Sequence, residues 1–255
     1  MQPDDQTGKT VKSVERTFDI IHTLREEGPM THSEIAEALE MPSSTAHLHL
    51  TTLMQTGYAV HSDNGYALSL RFLRDGYVVR DRNRLYQTAG DEIDELARTT
   101  GEVANLGIEE NGQRVLLYQS EGDEAVYDNA LTGEYTNMHW TALGKAILAQ
   151  LPESRVDEIV DLHGLPAGTE RTISTRDELR ENLAQIRDQG YALEDEERRE
   201  GIRSLAVPIV VNEEVVGSIS ISGPVNRLTD DRIESDLVAQ VRDKVNVIQV
   251  KYIYD

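Results

Sequence analysis

Breaks in the first seventy residues constrain this chain of 255 residues more than any other feature. They fall at Gly28-Pro29, Met41-Pro42, Gly57 and Asp63-Asn64-Gly65, and only short elements fit between them. Residues 11–27 read as a helix with Ser13 as N-cap and Val14, Phe18, Ile21 and Leu24 on one face. Thr31-His32-Ser33-Glu34 has the spacing of a capping box and opens a second helix that turns Ile35, Ala36 and Leu39 inward. Pro42 can open a third, because a first-turn N–H needs no partner. That helix runs to about Gln55 and stops at Gly57. Its apolar stripe is Ala46, Leu50, Leu53 and Met54, and its other face shows Ser43, Ser44, Thr45, His47, Leu48, Thr51 and Thr52. Tyr58-Ala59-Val60 and Tyr66-Ala67-Leu68 flank Asn64-Gly65, a hairpin signal.

Three short helices and a hairpin describe a winged helix-turn-helix. There the second helix braces the third, which enters the major groove of DNA, and the hairpin touches the flanking backbone. Hydroxyls and imidazoles on the third helix suit phosphates and base edges. The plainer reading of the same pattern is a small helical domain with a solvated polar face.

Residues 69–84 read as an amphipathic helical connector, with Leu70, Leu73 and Val78 set among arginines and a role in dimerisation left open. From Leu85 the order is mixed α+β. Helices are expected at about 86–99, 142–150, 153–162, 176–189 and 230–250. Strands are expected at 103–109, 113–119, 125–128, 191–193, 204–211 and 214–222. Thr229 should cap the last helix, with Ile233, Leu237, Val241, Val245 and Ile248 as its buried stripe.

Composition excludes several classes of chemistry. The chain has no cysteine, which rules out disulfides, thiolate metal sites and cysteine nucleophiles. Its longest apolar run, Leu205 to Val211, is far short of the roughly 20 residues of a membrane span. Met1 to Thr10 is polar, so no signal peptide is read and a soluble cytoplasmic protein is expected. The net charge is −21, and only five of the 25 cations are lysine. Dispersed acid with few lysines suits the cytosol of a salt-accumulating cell, where screening removes self-repulsion.

No catalytic constellation emerges, so no enzyme, cofactor or metal is expected. A phosphate loop at Gly144-Lys145 would need glycine where His139 stands. His47 and His49 project about 200° apart on a helix, so one ion cannot take both. The acidic run Glu194 to Glu197 reads as a solvated patch. Thr141-Ala142-Leu143-Gly144-Lys145 reads as a helix start that could receive an anion after an extended lead-in. Ser220 and Ser222 share one strand face.

These pieces, in this order, resemble the IclR family of transcriptional regulators along nearly the whole chain. The residues that carry the likeness are Ser13-Val14-Glu15-Arg16, Ser33-Glu34-Ile35-Ala36, Pro42 to His47, His139 to Ala149, Leu183 to Tyr191, Glu196-Glu197, Gly201 to Ser204 and Ile219 to Pro224. The resemblance implies a winged helix-turn-helix DNA-binding domain (1–69), a linker helix (70–84) and a GAF-like effector-binding domain (85–255). It implies double-stranded operator DNA and a small-molecule effector as partners, in a homodimer or homotetramer with no membrane association. Ser43, Ser44, Thr45, His47 and Leu48 would face DNA. Ala142, Leu143, Glu194, Ile202, Ser204, Ser220 and Ser222 would bind the effector, expected to be a carboxylate or sugar acid. Two departures stand out: Leu48 where the family commonly carries arginine, and Glu194 where aspartate is usual. An anionic Glu194 would accept hydroxyls from a polyol or sugar acid and would repel a second carboxylate. The alternative is a metabolite-binding enzyme with an accessory helical domain.

Overall fold

The structure, a computed structural model, describes residues 9–126 and 130–254. It divides into two compact units, Met1–Val79 and Arg80–Asp255. In the first, α1 (Lys12–Glu27), α2 (His32–Ala38) and α3 (Ser43–Thr56) precede the hairpin of β1 (Ala59–Ser62) and β2 (Gly65–Leu68). The N-cap of α1 is Val11, which offers no side-chain acceptor, and not Ser13. Only the second half of α1 packs on the core, through Ile20 and Leu24, so Val14 and Phe18 stay about half exposed. The capping box of α2 forms in full: the Thr31 hydroxyl accepts from the Glu34 N–H and the Glu34 carboxylate accepts from the Thr31 N–H. α3 buries Ala46, Leu50 and Leu53 and ends at Gly57 in the left-handed region. Met54, placed in the apolar stripe by its type, is exposed, because one step past Leu53 turns it about 100° from the core.

The wing turns at Asp63-Asn64, between the paired Ser62 and Gly65, and not at Asn64-Gly65. Gly65 stands in the ladder at φ +107°, where a Cβ would lie 2.4 Å from the Met30 carbonyl. Met30 and Tyr66 exchange two backbone hydrogen bonds there, at 3.0 and 2.7 Å, which lock the hairpin to the segment between α1 and α2. Next, α4 (Arg71–Asp81) buries none of its residues.

In the second unit Asn83 caps α5 (Arg84–Thr100) through its side-chain oxygen. Six strands then form one antiparallel sheet: β3 (Val103–Glu110), β4 (Gln113–Glu121), β5 (Tyr135–Asn137), β6 (Ala192–Asp195), β7 (Ile202–Val211) and β8 (Glu214–Pro224). Their order is β5-β4-β3-β8-β7-β6. No strand occupies 125–126, and 127–128 lie outside the described residues. The edge strand β5 is too short for alternation to announce it.

The two faces of the sheet differ in kind. Ala104, Leu106, Leu205, Val207, Ile209, Ile219 and Ile221 point to one face and pack with α5 and the C-terminal helix. That helix runs from α9 (Asp230–Arg232), capped by Thr229, through a π turn (Ile233–Leu237) into α10 (Val238–Tyr254). Its expected stripe, Ile233 to Ile248, is buried throughout. Alternation by two sends Asn105, Gly107, Ser204, Ala206, Ser218, Ser220 and Ser222 to the other face. There α6 (Ala142–Leu148), α7 (Glu153–His163) and α8 (Arg176–Gln189) form a second core with Leu116, Ala192 and Ala206. Small and polar residues on this face leave space between sheet and helix. Among the described residues no helix is long and apolar enough to cross a membrane.

Candidate functional site

That space is a small cavity of about 40 Å³. Ala142, Leu143, Glu194, Ile202, Ser204, Ser220 and Ser222 all line it. Asn105, Arg114, Leu116, Ala130, Thr141, Arg198 and Arg199 complete the wall.

The floor follows from the segment 141–145, where each residue has a task. The Thr141 hydroxyl accepts the Gly144 N–H at 3.0 Å and starts α6. The lead-in is extended only to Asn137 and then coils into a 3-10 turn, Met138–Trp140. Gly144 packs against that turn so closely that a Cβ would lie 2.1 Å from the Met138 carbonyl oxygen. The Ser218 hydroxyl donates to the Leu143 carbonyl at 3.0 Å and ties α6 to β8. Lys145 is fully buried, and its ammonium donates to Glu197 at 2.5 Å.

That lysine overturns the expectation of a solvated acidic run. Glu194 and Glu197 are only 3% and 8% exposed. A buried ammonium is tolerated only beside a carboxylate, so Lys145 draws the run inward. The loop is fastened behind by Thr169 and Thr172, whose hydroxyls donate to the Glu197 carbonyl.

Glu194 already has protein partners. One carboxylate oxygen accepts the Ser204 hydroxyl at 2.9 Å, and the other accepts the N–H groups of Glu197 and Arg198 at 2.9 and 3.2 Å. Burial nevertheless pushes its pKa up to about 7, against those hydrogen bonds, with the Glu197 charge adding to the rise. The expected fixed anion is therefore a group that exchanges its proton near neutrality. On the sheet, the Asn105 amide donates to Ser222 at 2.9 Å and to Ser220 at 3.3 Å, while Gln119 donates to the Asn105 oxygen at 3.0 Å. Arg114, 2% exposed on β4, and Arg198 converge on Glu134. Arg114, Arg198 and Arg199 thus line the same cavity as Glu194 and the hydroxyls of Ser204, Ser220 and Ser222.

Sequence reading missed Arg114, Arg198, Arg199 and Asn105. Arg114 sits within the β4 strand, and Arg198 and Arg199 lie in the connection between β6 and β7. In the first unit, Ser43, Ser44, His47 and Leu48 are exposed on the N-terminal part of α3 and Thr45 is half-buried. Leu48 is 66% exposed, off the buried stripe. The His47 and His32 rings meet edge to face at 5.8 Å. Among the described residues no group of three or more candidate ligands could hold a metal ion.

Comparison with known proteins adds the remaining evidence. The family model for the IclR helix-turn-helix domain matches residues 13–63, and that for the bacterial transcriptional regulator IclR C-terminal domain matches residues 78–250. The "Probable HTH-type transcriptional regulator ArcR" of Halobacterium salinarum is 34% identical, over 95% of this chain and 94% of that protein. The "Transcriptional repressor IclR" of Escherichia coli is 31% identical over 88% and 84% of the two chains. Among solved structures, the Thermotoga maritima IclR superposes with a TM-score of 0.81 at 28% identity, covering 95% of this chain and 99% of that one. An IclR homologue from Microbacterium hydrocarbonoxydans, complexed with 4-hydroxybenzoate, shares the fold with a TM-score of 0.82 at 21% identity, over 95% and 100%. These relatives are named as regulators and repressors, and the two family models between them span both units. This chain belongs to the IclR family of transcriptional regulators, with an N-terminal DNA-binding helix-turn-helix domain and a C-terminal effector-binding domain.

Proposed function

We propose that the effector of this regulator is a small hydroxylated carboxylate, such as a sugar acid, held in the cavity between α6 and the sheet. The observation that carries this reading is that Arg114, Arg198 and Arg199 line one cavity with Ser204, Ser220 and Ser222. Guanidinium forks bind carboxylate in matched pairs of hydrogen bonds, and the hydroxyl wall suits the alcohol groups. A protonated Glu194 can sit beside an anion without repelling it. Ala142, Leu143 and Ile202 supply the apolar contacts.

On the DNA side, Ser43, Ser44, Thr45, His47 and Leu48 form the reading face, with Leu48 meeting a thymine methyl in place of a charged contact. Boundaries at 1–69, 70–84 and 85–255 separate reader, linker and sensor. The regulator acts in the cytoplasm of a salt-accumulating cell as a homodimer or homotetramer. Exposed Val14 and Phe18 on α1 and Leu70, Leu73 and Tyr77 on or beside α4 support a second copy as the occupant of those faces.

Thermal unfolding with a panel of carboxylates, sugar acids and neutral sugars tests the effector class. Hydroxy-carboxylates should raise the melting temperature, and Arg114→Met should abolish the rise. Stabilisation by neutral sugars alone would sink the reading. Ser220→Ala and Ser222→Ala should each weaken the hit by roughly 1–3 kcal/mol.

A further inference from the structure

The DNA-reading unit has an unusual charge content. From Glu26 to Leu70 the sequence holds no lysine and no arginine, while it holds six carboxylates and His32, His47, His49 and His61. This stretch includes α2, α3 and both strands of the wing. Phosphate contact ordinarily rests on lysine and arginine, so the usual source of DNA affinity is missing from α2, α3 and the wing.

The imidazoles are the side chains of this stretch that can take on positive charge. His47 is exposed on α3, and its ring meets that of the half-buried His32 of α2 edge to face. His61 is exposed on β1, against the Tyr66 ring at 4.7 Å. His49 is turned back: its Nδ1 lies 2.8 Å from the Thr17 hydroxyl of α1. The charged groups on the packed elements are Lys12, Glu15, Arg16, Asp19, Arg25, Glu26 and Glu27 on α1, Glu34 and Glu37 on α2, Asp63 at the wing tip and Arg71 after the wing. Glu34 is taken up by Thr31, and Arg71 by the Thr56 carbonyl. Among the described residues, no ion pair joins any of them to an imidazole.

We infer that His32, His47 and His61 are the phosphate-contacting groups of this surface and that DNA binding takes up protons from solvent. The inference rests on the helix-turn-helix being the DNA reader and adds how that reader obtains its positive charge. Imidazole is the one side chain that ordinarily gains charge between pH 8 and pH 5. A duplex phosphate beside it favours the charged form, so protonation and DNA binding reinforce each other. Each proton taken up steepens the dependence, to at most about tenfold in affinity per pH unit.

The test uses the full chain and a duplex that it selects itself from random-sequence DNA. Selection is run at pH 6 and at pH 8, in KCl at which circular dichroism shows a folded chain. The selected duplex is then titrated by fluorescence anisotropy from pH 8 to pH 6 at that fixed KCl. Affinity should rise at least about tenfold on acidification, the effect of one proton taken up over part of this range. His47→Gln and His61→Gln should each flatten the slope, and the triple variant with His32→Gln should remove it. His47→Arg should bind more tightly at pH 8 and lose its share of the pH dependence, which a merely structural ring would not do. His163→Gln, in the other unit, should leave the slope unchanged. A slope of zero in the wild-type chain, or a slope that survives in the triple variant, overturns the proton linkage while leaving DNA reading in place. Failure to select any duplex at either pH overturns both.

Discussion

Glu194→Gln isolates the energetic consequence of a carboxyl built into the cavity wall. Its pKa rises from the ordinary 4.5 to about 7 because 97% of the residue is withdrawn from water, and the hydrogen bonds from Ser204 and two backbone N–H groups only partly compensate. A raised folded-state value means that the folded chain binds this proton more tightly than the unfolded one. Stability from this group is therefore complete below about pH 4.5 and is lost as pH rises through 7. At about 1.36 kcal/mol per pH unit, the wild-type chain loses roughly 3 kcal/mol across that window. Glutamine keeps an acceptor for the two N–H groups, has no charge to bury, and should show none of this loss. Urea unfolding at one fixed KCl concentration, followed by fluorescence of Trp140 beside α6, reads the unit concerned. The chain has a single tryptophan, so its signal is unambiguous. Glu194→Gln should gain on wild type steadily between pH 5 and pH 8 and be the more stable protein at pH 8. A difference between the two that stays constant over this range would show that Glu194 is ionised throughout, and the reasoning from burial would fail.

Other perturbations test the rest of the scaffold. Lys145→Met leaves Glu197 buried without its partner and should cost about 3–5 kcal/mol in the same assay, while Lys145→Met with Glu197→Leu should recover most of it. Gly65→Ala forces a Cβ to 2.4 Å from the Met30 carbonyl and should melt the N-terminal unit well below wild type, leaving the Trp140 transition in place. Thr45→Ala should weaken binding to the selected duplex by about 1–3 kcal/mol with circular dichroism unchanged. Raising KCl from 0.1 M towards 1–2 M should strengthen binding to that duplex at fixed pH, because screening at a Debye length of about 3 Å removes the repulsion between DNA and a chain of net charge −21. A monotonic fall in affinity on folded protein would show that counterion release outweighs it.

What the sequence determined by itself was local. Capping boxes, breakers and periodicity act within a few residues, so the three short helices, the wing and the Thr229-capped C-terminal helix were legible before any coordinates. The motif 141–145 was visible too, although not the contacts of Gly144 with Met138 and of Lys145 with Glu197. Tertiary structure decided everything that depends on partners distant in sequence. Val14 and Phe18 look like core, yet the small helical domain ends before it can cover them. The run from Glu194 looks like solvated acid, yet one buried lysine 52 positions away in the pair with Glu197 pulls it under the sheet. Arg114 and Asn105 carry no signal of their own and become cavity walls because β4, β3 and β8 lie side by side. Helix ends and turns are settled by hydrogen bonds of short loop length. A cavity and its charge state are settled by which long-range neighbours exclude water, and that is decided only when the chain closes on itself.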